Sequence, residues 1–128
     1  MYKLTGSLLI GILFWGCSNS APVDLGNFDA EGFRSDRGGC ENKREALQSD
    51  LKAIKDKLLG LSENQTIKAL GRYDYQILDR KNEKVFIYFL EKGPQCEHIQ
   101  NPSSALTMAV YLNSVSLVKE VTFQNGKP

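Results

Sequence analysis

The chain is poor in the residues that catalysis recruits. It holds one histidine, His98, three cysteines, one tryptophan and four prolines in 128 residues. A lone histidine between Pro94 and Pro102 reads as a loop surface residue, and no G-x-S-x-G elbow provides it with a nucleophile. There is no Walker phosphate loop and no dinucleotide fingerprint. Cys96-Glu97-His98 offers potential ligands without the paired spacing of zinc sites. Carboxylates are scattered among basic neighbours, so no pair stands out for acid–base work. The expectation is a protein that is not an enzyme and uses no metal or cofactor.

A surplus of charge of one sign is missing too. Sixteen basic residues stand against fifteen acidic ones, a net charge of +1. That balance leaves no electrostatic footprint for nucleic acid, and no polybasic run is present to grip anionic lipid. The main apolar run, Leu8 to Trp15, is interrupted at Gly11. It falls well short of the about 20 apolar residues of a membrane-spanning helix. No internal repeat is visible.

What is present begins with an address. Lys3 and the amino terminus supply positive charge, the apolar run follows, and Gly16-Cys17 leads into polar Ser18-Asn19-Ser20. This is the layout of a secretory signal. Leu13-Phe14-Trp15-Gly16-Cys17 resembles the lipobox of bacterial lipoproteins, in which a small residue precedes the cysteine that is acylated and becomes the new amino terminus. Gly16 matches; Phe14 replaces the usual leucine and Trp15 is bulky for its place. Cleavage by the ordinary signal peptidase is the alternative. Acyl chains hold a protein by burying methylenes, about 0.8 kcal/mol each. Removing the leader removes Lys3 and leaves 15 residues of each sign, so attachment would come from lipid rather than charge. Ser18 and Asn19 lack the aspartate that retains some lipoproteins in the inner membrane. By resemblance to those sorting rules the expected location is the outer membrane, periplasmic face.

The expected organisation is a signal peptide over 1–16, a lipidated tether and linker over 17–39, and a domain over 40–125. Phe28 and Phe33 fall in a Gly- and Asp-rich stretch that reads either as plain loop or as a loop pinned to the domain. Asn42 and Glu45 stand at capping-box spacing. Leu47, Leu51, Ile54 and Leu58 then mark one face of a helix over 42–59, with Arg44 among the charged residues of its solvated side. Gly60 is the expected stop. Ser62 and Gln65 repeat the capping spacing for a helix over 62–70, ended by Gly71.

Thereafter the period is two. Tyr73, Tyr75 and Ile77 alternate, Val85 to Leu90 is β-branched and aromatic, and two runs around Asn113-Ser114 read as a hairpin: Leu106, Met108, Val110 and Leu112, then Leu117, Lys119, Val121 and Phe123. Helices followed by strands indicate an α+β fold, two helices packed on a three- to four-stranded antiparallel sheet. Leu47, Leu51, Ile54, Leu58, Ile67, Leu70, Phe86, Val110 and Val121 are the expected core.

Once Cys17 carries lipid, Cys40 and Cys96 remain as an even pair. In an oxidising envelope they form a disulfide candidate, with two reduced thiols as the alternative. For a loop this long the chain-entropy model gives about 4 kcal/mol, against 2–4 kcal/mol commonly measured. Tyr73, Tyr75, Tyr88 and Tyr111 read as core or sheet-surface residues. An exposed sheet face carrying them is the candidate partner site, because tyrosine favours interfaces.

The stretch from Leu58 to Gly71 resembles the two-helix junction of the SmpA/OmlA (BamE-like) lipoproteins. There a Gly–apolar–Ser/Thr step starts the second helix, and Leu-Gly, often followed by x-Pro-Asp, ends it. Leu70, Gly71 and Asp74 match, with Tyr73 in place of the proline. Phe28-Asp29, Gly39-Cys40-(x3)-Arg44 and Gly93-Pro94-Gln95-Cys96 are similar to small lipoproteins of Bacteroidetes-type bacteria. The first resemblance implies two helices on a three-stranded antiparallel sheet and a role in outer-membrane protein assembly or envelope integrity. Beta-lactamase-inhibitor proteins share that architecture. Two functional expectations follow: a non-catalytic envelope lipoprotein that binds another protein, or an inhibitor or immunity-like protein that blocks a secreted enzyme.

Overall fold

The computed structural model describes Gly11 and residues 22–128. Cys17 and the rest of the expected leader lie outside the described residues. Among the described residues four α-helices precede the sheet: α1 (Ala30–Ser35), α2 (Lys43–Ala46), α3 (Gln48–Ile54) and α4 (Glu63–Leu70). The strands are β1 (Tyr75–Leu78), β2 (Lys84–Phe89), β3 (Leu106–Leu112) and β4 (Val118–Asn125). They form one antiparallel sheet in the order β1-β2-β3-β4, a simple meander. The fold is therefore α+β.

The packed region starts well before residue 40. Leu25 and Phe33 are buried, with Val23 and Phe28 packed against the same core. The Phe28–Phe33 stretch is thus neither free linker nor plain loop. Asp29 caps α1 by accepting the Gly32 N–H at 2.9 Å, and the helix drives Phe33 inward between Phe28 and Tyr88.

The helix expected over 42–59 is not one helix. Asn42 adopts a left-handed conformation (φ 65°) and makes no side-chain cap. The cap comes from further back: the buried Asp36 carboxylate accepts the N–H groups of Glu41, Lys43 and Arg44 at 2.8–3.0 Å. It does the work of a capping side chain from six residues upstream of Asn42, where no local spacing reveals it. The rod then tightens at Leu47, whose N–H is shared between the carbonyls of Lys43 and Arg44, and it ends in a 3-10 turn over Lys55–Leu58. By contrast α4 has the expected capping box, with Ser62 and Gln65 bonded reciprocally, and Gly71 (φ 80°) ends it.

One sheet face meets the helices. Phe86, Tyr88, Leu90, Met108, Val110, Leu112, Val118 and Val121 join Leu51, Leu58 and Leu70 in a single core, with Leu47, Ile54 and Ile67 at its margin. The hairpin turns at Asn113, whose side chain accepts the N–H groups of Val115 and Leu117. Its register slips there: Tyr111 pairs with Glu120 but Leu112 with Val118. The bulge places Val118 and Val121 on the same inward face and leaves Leu117, expected in the alternating set, outside the strand and 38% exposed.

Candidate functional site

Two arrangements stand out from ordinary packing. The first is a buried polar hub where β1 stops short. Beyond Tyr75 the edge of β2 loses its partner strand, and Phe89 would keep an orphan N–H and C=O. Side chains supply both partners: the Asp74 carboxylate accepts the Phe89 N–H at 2.8 Å, and Arg44 Nη1 donates to the Phe89 carbonyl at 3.1 Å. Arg44 and Asp74 bond each other at 2.6 Å with side chains 0% and 1% exposed. Arg44 Nε donates to the Phe33 carbonyl, and its guanidinium lies 4.4 Å from the Phe33 ring centroid. The assignment of Arg44 to a solvated helix face is therefore corrected. Its spacing matches the charged side of the helix, but the irregular start at Asn42 turns it into the core.

The rest of the hub ties the loops together. Gly38 N–H donates to Asp74 Oδ1. Buried Gln95 donates to the carbonyls of Gly38 and Glu91 and accepts from Ser103 Oγ. Gly39 (φ 70°) lies so close to the β2 exit that a Cβ there would sit 2.8 Å from the Phe89 carbonyl oxygen. Cys40 and Cys96 close the arrangement as a disulfide, Cα atoms 5.8 Å apart. Most groups in this hub hold backbone, while Arg44 Nη2 is buried without a hydrogen-bond partner, and the hub reads as structural. The sequence marks Asp74 and Gly39 only as matching letters, Cys40 also as a disulfide candidate and Arg44 also as a solvated helix residue. Charge pattern gives no hint of their burial, because several of the partners come from segments 30 or more residues apart.

The second arrangement is the sheet face turned away from the helices. Cross-strand partners form three ranks on it: Tyr75–Ile87–Ala109–Thr122, Ile77–Val85–Tyr111–Glu120 and Phe89–Thr107–Gln124. Val85, Ile87 and Ala109 are buried, under partly buried Tyr75, Ile77 and Tyr111. Among the described residues no helix residue belongs to this cluster. Past β4, Gly126 takes a left-handed turn (φ 77°), with its N–H on the Ala105 carbonyl and its own carbonyl accepting from buried Thr107 Oγ1 at 2.6 Å. Lys127 then reaches over the face, its Nζ 3.6 Å from the centroid of the Tyr75 ring. Partial burial lowers the Lys127 ammonium from its ordinary value.

The four tyrosines expected to share a partner surface do not share one. Tyr75 and Tyr111 lie on the uncovered face. Tyr88 is fully buried on the helix side, its hydroxyl donating to the Gly71 carbonyl at 2.8 Å. That burial pushes the Tyr88 phenol well above its usual range. Tyr73 stacks on Phe86, ring centroids 4.4 Å apart, at the margin of the same core. The parity of strand positions explains the split: Phe86 and Tyr88 point one way, Val85 and Ile87 the other. Tyr88 is thus removed from the partner site. His98 is exposed, and its Nδ1 accepts the Gln100 N–H. Among the described residues no three His, Cys, Asp or Glu side chains gather as a metal site, and no helix is long and apolar enough to cross a membrane.

No protein-family model, curated protein or solved structure matches the chain.

Proposed function

We propose that this chain is a non-catalytic envelope lipoprotein, held by lipid on Cys17 at the periplasmic face of the outer membrane, that binds another protein through the sheet face opposite its helices. One observation carries the binding reading: an aromatic and β-branched cluster that no helix among the described residues joins, with Tyr75, Ile77 and Tyr111 partly accessible on it. Tyrosines above a dry apolar floor, with polar residues at the margin, fit the anatomy of protein interfaces. Apart from the unpartnered Arg44 Nη2, the buried polar hub is engaged mostly with backbone, which favours scaffold over catalyst. The disulfide suits an oxidising compartment. A role in outer-membrane assembly or envelope integrity follows from the resemblance of the Leu58–Gly71 junction.

The test is affinity purification of the wild-type chain and a Tyr111→Ala variant from detergent-solubilised membranes. Recovery of a β-barrel assembly complex, lost in the variant, supports the proposal. Recovery of a soluble hydrolase instead would favour an inhibitor or immunity-like protein. Recovery of the same partner by both forms would take the sheet face out of the account.

A further inference from the structure

We propose that the Cys40–Cys96 bond is an exchange site accessible in the folded protein, at which a dithiol attacks Cys96 and reduces the pair without unfolding the chain. The inference uses none of the sheet face on which the partner-binding reading stands.

Three observations converge. First, the bond is within reach. Cys40 and Cys96 line a cleft of about 320 Å³ together with Arg37, Asp74 and Gln95. Cys96 is exposed and Cys40 half-buried. Which sulfur a thiolate attacks depends on access, and access selects Cys96. Secondly, the charge of the cleft suits the attacking species, which is a thiolate rather than a thiol. Asp74 is matched by Arg44. Arg37 is exposed and in no ion pair among the described residues, so it offers the incoming anion a positive charge. Thirdly, other bonds hold the backbone around the disulfide. Gln95 donates to the Gly38 and Glu91 carbonyls and accepts from Ser103 Oγ. The Gly38 and Glu41 N–H groups, on either side of Cys40, donate to Asp74 and Asp36. The Cys96 N–H donates to the Gly93 carbonyl. Both turns therefore keep their places when the bond opens, and the sulfurs stay close enough to rejoin.

A thiolate of the dithiol attacks Cys96 Sγ and forms a new S–S bond there. The Cys40–Cys96 bond breaks, and its electron pair leaves on Cys40, which takes a proton from water. The second thiolate of the dithiol then attacks the sulfur of its first, closes its own disulfide and releases Cys96 as a thiolate. Two electrons pass from the dithiol to the cysteine pair. The resolving thiol must come from the reductant, because the third cysteine of the chain is Cys17, which carries lipid in the proposed function. The choice of a dithiol rests on that reading; the access of Cys96 does not.

The test takes the mature chain with the bond formed, without denaturant, and adds dithiothreitol at rising concentration. Thiols are trapped with iodoacetamide and read by mass spectrometry. The rate of opening should rise in proportion to dithiothreitol and stay unchanged in Leu51→Ala, a substitution of a fully buried core residue. Opening through unfolding would instead be about thirtyfold faster or more in that variant. The wild-type rate would also level off at the rate of unfolding. Either result overturns the proposal. Circular dichroism of the reduced chain should match that of the oxidised one, and loss of the helix signal would count against exchange in the folded state. A monothiol, glutathione, locates the attacked sulfur: its adduct should lie on Cys96, with iodoacetamide on Cys40. Adducts on Cys40, or on both alike, would overturn the choice of Cys96. Acylation of Cys17 is read separately from the mass of the amino-terminal peptide, so its absence would remove the lipoprotein reading and leave the exchange result standing.

Discussion

Arg44 Nη1 and Asp74 Oδ2 lie 2.6 Å apart, joined across 30 residues of chain, with neither side chain reaching solvent. The pair takes the place of the missing end of β1: each partner satisfies one backbone group of Phe89. Removing one charge from such a pair strands the other, which costs about 3–5 kcal/mol. Arg44→Met should therefore lower unfolding free energy by about that amount in urea titration. A loss under about 1 kcal/mol, the size of a surface pair, would show that the pair is not buried in solution.

The disulfide closes the same corner from the covalent side. Cys40 and Cys96 are 56 residues apart in sequence, and their bond joins the loop before α2 to the loop after β2. The double variant Cys40→Ser/Cys96→Ser should stay folded, because the core lies elsewhere, and lose about 2–4 kcal/mol. Denaturation with and without reductant should give the same difference for the wild type and none for the variant. Free-thiol labelling of the unfolded, non-reduced wild type at both positions would contradict the bond.

These two features show what sequence alone makes legible. Local signals survived: the capping box of Ser62 and Gln65, the stop at Gly71, the hairpin at Asn113 and the core positions from Leu51 to Val121 all follow from short-range chemistry or periodicity. The pairing of Cys40 with Cys96 was open to simple counting. The solvated placement of Arg44 fails because helical spacing presumes a regular helix, and the left-handed Asn42 and the cap from Asp36 re-aim the first turn. Residue type groups Tyr88 with Tyr75, and strand parity separates them. The contact of Lys127 with the Tyr75 ring is illegible in sequence, since it depends on a glycine turn and a sheet assembled from distant strands.

Glycine geometry gives a paired prediction. Gly39 and Gly60 both have positive φ, 70° and 81°, but a Cβ on Gly39 would meet the Phe89 carbonyl oxygen at 2.8 Å whereas one on Gly60 would meet nothing within 4 Å. Gly60→Ala should cost about 1–2 kcal/mol from backbone strain alone. Gly39→Ala should cost clearly more, because β2 or the disulfide loop must move as well. Thermal unfolding of both variants checks the order, and equal losses would argue against the close approach.

The raised pKa of Tyr88 predicts a pH dependence. Burial is the main cause, so the folded state holds the phenol proton more tightly than the unfolded chain, whose tyrosine titrates near its ordinary value of about 10. The native state then binds more protons, and stability is fully present below pH about 10 and declines above it. The decline approaches about 1.4 kcal/mol per pH unit until the folded phenol itself ionises. Tyr88→Phe should remove this contribution to the slope while losing the bond to the Gly71 carbonyl, about 1 kcal/mol at neutral pH. Unfolding free energies of both proteins between pH 8 and 11 test it; parallel curves would contradict the burial of the hydroxyl.

The central claim, that the uncovered sheet face is where another protein binds, is tested most directly by photo-cross-linking in the intact envelope. A benzophenone amino acid replaces Ile77 on that face or exposed Ala53 on α3. The account predicts one defined adduct from position 77, lost when Tyr111→Ala is added, and none from position 53. An adduct from position 53 and none from position 77 would place the partner on the helices and contradict the account.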